Sequence, residues 1–489
     1  MIIVIFQMSF DLLLKRFSNS YFLSFLFVFL ALYLRLNNYN DVGLWGDEYL
    51  TFWNSEPLYS FSEIFDRTQK SPTLVPPFYY YILNIYTNYF GHTVYSLKLF
   101  HIFLNTSCLI LVFFISRYVL KNSLVNLVLF LTSFNLFLIW CSQDILVVNL
   151  ALFIQLISVI IFFDLIKSIK KKINIFKIIF FTLISILIIT IHPLSIVIIL
   201  SQAILLLFLL FKENELKSRK KIYFIFFGLF FSCVMYIFTS LEYIINRLDG
   251  TNIGHNQLNL EFFIGYNFKH YFSSYIIGAI NLVIVALSIL KLKKNFFKNL
   301  HLSYLIILLI STYVFIILGT TFFTGINGQR YWSYLVPIII IINACYIIDI
   351  KKKFIRQSLI LFLIIFTPIV YFKNVNSPQV RKPDTPSLIK TFNKSKVEYV
   401  VSQNYGYFEY YLNNGYENFT IPLLKENQIQ NIRKDFWYLC LDLNWHQERG
   451  SYWNEMYDCK PYKVDPKNHR RENSLRFNGY VITKYEYMN

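Results

Sequence analysis

The sequence predicts a polytopic α-helical membrane protein of about eleven transmembrane helices, N-terminus inside and C-terminus outside, followed by a small extracytoplasmic α/β domain. Three observations carry this prediction: the composition, the length of the apolar runs, and the segregation of charge between alternate loops. The 489 residues are 56% hydrophobic and 19% aromatic, with only 15% charged and a mean hydropathy of +0.46. Soluble globular chains carry about 25% charged residues, so this chain has too few to cover a surface in water. Disorder, a coiled coil and a small disulfide scaffold are excluded by the same figures. A transmembrane β-barrel would show alternating segments of about 10 residues, whereas these apolar runs are long and continuous.

About 20 apolar residues are needed to cross about 30 Å of hydrocarbon. Candidate spans lie near 20–36, 95–118, 123–140, 146–163, 174–191, 194–211, 222–240, 271–290, 302–320, 331–348 and 357–372. Lys15-Arg16, Arg117 with Lys121, Lys167 with Lys170-Lys171-Lys172, Lys217 with Arg219-Lys220-Lys221, Lys291 with Lys293-Lys294, and Lys351-Lys352-Lys353 fall on one side. The opposite loops hold Asp41, Asp47, Glu48, Glu63, Asp66, Asp144, Glu242 and Glu261. By the positive-inside rule the Lys-rich side is cytoplasmic. The net charge of +18 is thereby explained without nucleic acid as a partner.

The stretch Pro77–Phe90 is apolar and aromatic but too short to cross. Counting it as a span would put every later Lys cluster outside. It reads instead as a helix at the outer interface, where Tyr rings favour the headgroup level, with Pro76-Pro77 in its first turn. A short re-entrant piece is the alternative. The apolar run Met1–Phe6 lacks the preceding basic region and the cleavage site of a signal peptide, and is expected to be retained.

Residues 1–372 form the expected membrane domain, with a first outer loop at 37–94, and residues 373–489 the extracytoplasmic α/β domain. Pro378, Pro383 and Pro386 mark the linker. Helical and strand patterns then alternate at Pro386–Asn393, Val397–Ser402, Tyr407–Asn413, Phe436–Leu443 and Tyr480–Tyr487. Cys108, Cys141, Cys233 and Cys345 lie in or near spans and read as packing residues. Cys440 and Cys459 share the outer domain, where a disulfide is expected, free thiols being the alternative.

The first outer loop is the most informative stretch: Leu44-Trp45-Gly46-Asp47-Glu48-Tyr49, then Ser71-Pro72-Thr73-Leu74-Val75-Pro76-Pro77-Phe78-Tyr79-Tyr80. A carboxylate where bilayer, water and headgroup meet could accept a proton from a hydroxyl-bearing acceptor. By itself the Asp-Glu pair also reads as a helix cap, with Asp47 satisfying free amides and Glu48 a solvated first-turn acid.

The order Trp-Gly-Asp-Glu, Pro-Pro-Phe-Tyr-Tyr, Phe90-Gly91 and Leu97-Lys98-Leu99 resembles the GT-C glycosyltransferases, in particular their protein O-mannosyltransferase and lipid A aminoarabinose-transferase branches. The resemblance extends to the whole architecture, although its motifs are short. It implies a polyprenyl-phosphate sugar donor, Asp47 at the family's catalytic acidic position and Glu48 as a supporting carboxylate. Gln143-Asp144 looks like the family's acidic element at the end of the third span, but the Arg and Tyr that often follow are replaced by Leu146 and Val148. His192-Pro193 resembles the Thr-His-aromatic motif with Pro in the aromatic position, and Arg330-Tyr331 the Arg-Tyr expected to hold the lipid phosphate. Tyr79 and Tyr80 of the interfacial helix join Gln143, Asp144 and His192 as expected substrate contacts. Lys98, Arg35 and Lys269 are further phosphate candidates.

Each residue also has a structural reading. Asp144 could cap the fourth span, His192 could end a helix before Pro193, and Arg330 could snorkel to headgroups. Against the last, Arg330 is almost the only base in the loop 321–331, and its planar fork suits a phosphate.

No phosphate loop, nucleophile elbow or His-Glu-x-x-His occurs. No cofactor is expected to be required, and a divalent cation is not indicated. The expected activity is therefore an inverting glycosyltransferase of the plasma (inner) membrane, working on the extracytoplasmic face with Asp47 as base. Its partners would be a polyprenyl-phosphate sugar, a lipid, glycan or protein acceptor, and membrane lipid. The alternatives are a lipid-linked oligosaccharide flippase or transporter, which would place ionisable groups at the bilayer midplane, and a surface-polysaccharide polymerase or ligase.

Overall fold

The computed structural model describes residues 21–41, 43–44, 46–70, 75–120, 124–170, 174–248, 268–292, 299–322, 329–375, 382–395, 397–402, 404–416, 418–442 and 468–488. Residues 1–20, Trp45 and Cys459 lie outside the described residues. From Tyr21 to Asn374 every described element is helical.

α1 (Tyr21–Leu36) turns Phe27, Ala31, Leu34 and Arg35 inward, while Phe22, Phe25, Phe29 and Tyr33 stand exposed at a spacing of three to four. That outward stripe of large apolar rings has a solvent only in lipid. Three short helices follow, α2 (Gly46–Asn54), α3 (Phe61–Lys70) and α4 (Pro77–Phe90). α4 starts behind Pro76 and stops at Gly91, whose φ of +86° few other residues adopt. Beyond it, His92 stacks on Phe52 at 4.0 Å and sits 2.8 Å from the Phe52 carbonyl through Nε2. A carbonyl can only accept, so Nε2 carries the proton.

α5 (Val94–Leu120) leads to a broken pair, α6 (Val125–Ser133) and α7 (Leu136–Ser142), bent by 60°. At the break Asn135 caps α7 by accepting from the Leu138 amide (3.0 Å) and donates to the Tyr271 carbonyl (2.7 Å). Then come α8 (Val147–Ser168), α9 (Ile175–Ile191), α10 (Ile196–Lys212) behind a 3-10 turn at Pro193–Ser195, and α11 (Leu216–Leu248). The one-turn α12 (Lys269–Phe272), α13 (Tyr275–Leu292), α14 (Leu300–Phe322), a 3-10 turn at Gln329–Trp332, α15 (Leu335–Ile348) and α16 (Lys353–Asn374) complete the bundle.

Helices occupy all the apolar stretches expected of spans. By length and composition six of them can cross a membrane, and the bent pair makes a seventh if it is one span. Four others, α1, α9, α13 and α15, are apolar but shorter. Charge separates the two ends of the bundle. At one end Lys170 meets Glu213 (3.8 Å), Lys291 meets Asp349 (2.8 Å), and Lys221 donates to the Ile169 carbonyl (2.7 Å).

After α16 come α17 (Thr385–Lys394), β1 (Tyr399–Ser402), α18 (Tyr405–Gly415), β2 (Leu423–Lys425), β3 (Phe436–Leu441), β4 (His469–Phe477) and β5 (Tyr480–Tyr487). The sheet order is β2-β1-β3-β5-β4, with β1 parallel to β2 and β3, and β5 antiparallel to β3 and β4. β3, Phe-Trp-Tyr-Leu-Cys-Leu, is buried along its whole length, as a central strand covered on both faces should be. Cys440 on β3 is disulfide-bonded; its expected partner Cys459 lies outside the described residues.

This sheet unit rests on the first outer loop. Gly43 donates to the Pro383 carbonyl (2.6 Å), and a Cβ there would stand 2.2 Å from Thr385 Oγ1, so only glycine fits. The Leu44 amide donates to the Tyr411 hydroxyl (3.0 Å), and the Tyr410 hydroxyl to Glu56 (3.0 Å).

Candidate active site

At the end of the bundle opposite the Lys-rich turns, the C-terminal ends of α1, α7 and α9 meet the N-terminal ends of α5, α8 and α15. The short helices of the outer loop cover them. Asp47 is the second residue of α2, and its carboxylate pairs with the Arg330 guanidinium on the 3-10 turn before α15. The two residues are 283 positions apart. Asp47 is 53% exposed and Arg330 32%, so the pair lies at the surface of the site. Burial works against the Arg330 charge, but Asp47, Tyr331 and Asp144 together outweigh it and hold the guanidinium above its ordinary pKa.

Glu48, one residue on, points the other way into the protein and is fully buried. Its Oε1 accepts from the Ile145 amide (2.8 Å) and from Lys382 Nζ (2.7 Å). Lys382 also reaches Asp144 Oδ1 (2.5 Å) and the Gln143 carbonyl (3.1 Å). Its three N–H donors thus meet three oxygens, the full complement of an ammonium. Burial pushes the Asp144 carboxyl up, with Lys382 pulling it back. Burial likewise opposes the Lys382 charge, but Asp144 and Glu48 outweigh it and its pKa is raised.

A second polar layer lies beneath. Gln143 Nε2 donates to the carbonyls of Arg35 (2.9 Å) and Asn37 (3.0 Å), tying the end of α7 to that of α1. Arg35 Nε donates to Asn105, and Asn105 to Asn149, each at 2.9 Å. Asn149 then donates to the carbonyls of Cys141 (2.6 Å) and Asp144 (3.1 Å). Lys98 is fully buried and donates to the Tyr39 carbonyl (3.0 Å), close enough to Glu48, Asp144 and Lys382 to feel their charges.

Tyr79 and Tyr80 are also fully buried. The Tyr79 hydroxyl lies 2.7 Å from His101 Nε2, while His101 Nδ1 is 2.7 Å from the Leu97 carbonyl. Nδ1 therefore carries the proton, and Nε2 accepts from the phenol. His192 ends α9 with its ring 5.6 Å from that of Tyr331. Its buried Nδ1 has no hydrogen-bond partner among the described residues.

The fold thus joins Asp47 to Arg330, gathers Glu48, Asp144 and Gln143 with Lys98 close by, and sets His192 against Tyr331. Asp47 lies inside its helix and pairs with Arg330; Glu48 is buried where the capping alternative put it in solvent. Lys269 donates to the Tyr275 hydroxyl (2.8 Å). Sequence reasoning missed Lys382, His101, Asn105 and Asn149. The signals available were the basic pair Arg381-Lys382 directly before Pro383, and polar side chains inside apolar helices. Among the described residues no group of three or more His, Cys, Asp or Glu side chains could hold a metal ion.

No protein-family model matches the chain, and no curated protein matches it. Among solved structures it is similar to the Archaeoglobus fulgidus oligosaccharyltransferase. The apo form overlaps with a TM-score of 0.49 at 11% identity, covering 87% of this chain and 69% of that one. The complex with Zn and sulfate gives 0.46 at 12%, covering 85% and 67%. The same organism's AglB with an inhibitory peptide and a dolichol-phosphate gives 0.48 at 10%, covering 86% and 70%.

Proposed function

We propose that the protein is a GT-C-like membrane glycosyltransferase that moves a sugar from a polyprenyl-phosphate donor to an acceptor hydroxyl on the extracytoplasmic face of the plasma membrane. The observation that carries this reading is the Asp47–Arg330 ion pair beside the buried Glu48–Lys382–Asp144 cluster. A carboxylate held by a guanidinium is the arrangement a phosphate can enter by exchange, because both anions suit the same planar fork. Eleven spans, N-terminus inside and C-terminus outside, with a body of residues 1–372 and an outer domain of 373–489, complete the proposal. The Lys-rich turns at one end of the bundle and the acids at the other support that orientation.

The donor enters between spans with its phosphate at the headgroup level. Arg330 turns from Asp47 to the phosphate, which leaves Asp47 free beside the acceptor. Asp47 takes the proton of the acceptor hydroxyl, the oxygen forms its bond to the anomeric carbon, and the carbon–oxygen bond to phosphate breaks with its electron pair leaving on the phosphate. Direct displacement inverts the anomeric centre. Arg330 stabilises the charge that grows on the departing phosphate. Glu48 and Asp144, each bound to Lys382, hold α2 and the α7–α8 turn in place, while His192 and Tyr331 line the approach to Arg330. The acceptor is a lipid, glycan or protein hydroxyl.

Proteoliposomes supplied with labelled polyprenyl-monophosphate sugar and a mixture of envelope acceptors test the reading. Label moving onto an acceptor supports it. Donor appearing in the opposite leaflet without transfer points to a flippase, and growth of a polymer to a polymerase; either overturns it.

A further inference from the structure

Glu48 and Asp144 are two carboxylates brought together in a buried site, an arrangement that elsewhere serves a divalent cation. Here the space between them is filled by the chain itself. Lys382 Nζ lies 2.7 Å from Glu48 Oε1, 2.5 Å from Asp144 Oδ1 and 3.1 Å from the Gln143 carbonyl oxygen. Magnesium or calcium takes six or more oxygens at about 2.0–2.6 Å and would need waters in place of the lysine chain to complete its shell, whereas with Lys382 present three acceptors at hydrogen-bonding distance match the three donors of an ammonium. The Ile145 amide takes up further capacity on the same Glu48 oxygen.

The origin of this lysine matters as much as its contacts. Lys382 follows the last helix of the bundle and immediately precedes Pro383, whose carbonyl is clamped by the Gly43 amide. Two residues on, the Thr385 hydroxyl lies 2.9 Å from that of Tyr480 on β5. The entry into the sheet unit is thus fixed at the point where its lysine reaches into the bundle. Asp384 caps α17 by accepting from the Ser387 amide, which sets the chain direction on the other side of the lysine.

We propose that Lys382 is the resident cation of the site: its ammonium holds Glu48 and Asp144 together in place of a divalent metal, so that transfer proceeds without one and the C-terminal unit completes the site. Lys382 is a positioning residue, acting through the two carboxylates and through α2, which carries Glu48 and, next to it, Asp47. The inference rests on the glycosyl-transfer reading for its activity arm only; metal uptake is read without any substrate.

The test compares full-length wild type with Lys382→Met, which keeps the unbranched chain up to its fourth atom and removes the ammonium and its charge. Both are stripped with EDTA, exposed to Mn²⁺, dialysed and analysed for bound metal, then assayed for transfer with and without Mn²⁺. Wild type is expected to retain no stoichiometric Mn²⁺ and to transfer equally well in EDTA. The variant is expected to lose roughly 10–100-fold in transfer and to take up about one Mn²⁺ in place of the ammonium. A wild type whose transfer is abolished by EDTA and restored by Mn²⁺ overturns the inference. So does a monodisperse variant that takes up no Mn²⁺, or one that transfers at the wild-type rate without metal. Should Lys382→Met fail to fold, Mn²⁺ uptake and EDTA sensitivity of wild type decide the matter. Should wild type transfer no sugar at all, the glycosyltransferase reading falls, and the Mn²⁺ uptake of the two proteins still judges Lys382.

Discussion

Replacing Asp47 with Asn separates chemistry from stability at this site. The side chain keeps its shape and one hydrogen-bonding oxygen but loses the charge that pairs with Arg330 and accepts the acceptor's proton. A positioned general base contributes about 10²–10⁴-fold, or about 3–5 kcal/mol of transition-state stabilisation. The folded state loses far less. Asp47 is 53% exposed and Arg330 32%, and ion pairs so open to solvent contribute about 0.2–1 kcal/mol. Donor binding should move the opposite way to turnover. In wild type the phosphate must displace Asp47 from Arg330, and in Asp47→Asn it need not. Affinity for polyprenyl phosphate is thus expected to hold or to rise by up to about fivefold, the equivalent of 1 kcal/mol. Single-turnover transfer in proteoliposomes, polyprenyl-phosphate binding by competition and a thermal melt in detergent measure the three quantities. Wild-type turnover in the variant refutes Asp47 as the base. Loss of donor binding together with transfer refutes the exchange of Asp47 for phosphate on Arg330.

Arg330→Lys keeps a positive charge and loses the two-pronged geometry, so kcat/KM should fall by about 10–100-fold, the range of one charge-assisted hydrogen bond of 1.5–3 kcal/mol; an unchanged value removes Arg330 from the phosphate. Glu48→Ala leaves Lys382 buried with a single counter-charge and the Ile145 amide without its acceptor, and should destabilise the fold by about 3–5 kcal/mol; an unaltered melting curve contradicts the buried bridge. His92, between α4 and α5, has its pKa lowered by burial from 6.5 to about 4. Folded, it stays neutral where the unfolded chain takes a proton, so its contribution is complete above pH 6.5 and is lost as the pH falls toward 4, by up to about 3 kcal/mol. Melts across that window should steepen for wild type and flatten for His92→Gln, and equal slopes would refute the assignment.

Much of the architecture could be read from local composition, because a helix in lipid satisfies its own backbone and meets an apolar solvent on every open face. The apolar stretches, the short helix behind Pro76-Pro77, the buried strand Phe436–Leu441 and the half-buried strand Tyr480–Tyr487 were all visible in this way. β4 was not. It runs His-Arg-Arg-Glu-Asn-Ser-Leu-Arg-Phe at the edge of the sheet, with no apolar alternation to betray it. β2 has only three residues, too few for a pattern.

By itself the chain of residues determined where the apolar helices run, which loops carry acid and which carry base, and that Asp47 and Glu48 stand just beyond the first helix. Only the tertiary structure decided that these neighbours have opposite fates, Asp47 turned outward to Arg330 and Glu48 inward to Lys382. Consecutive side chains on a helix diverge by about 100°, so adjacent acids meet different surroundings. Their partners lie 283 and 334 positions away, and no periodicity or motif reports a contact over that separation. The Glu48 contact exists because the sheet unit docks on the outer loop and carries its lysine into the bundle, and the Asp47 contact because the outer loop folds back over the turn that bears Arg330.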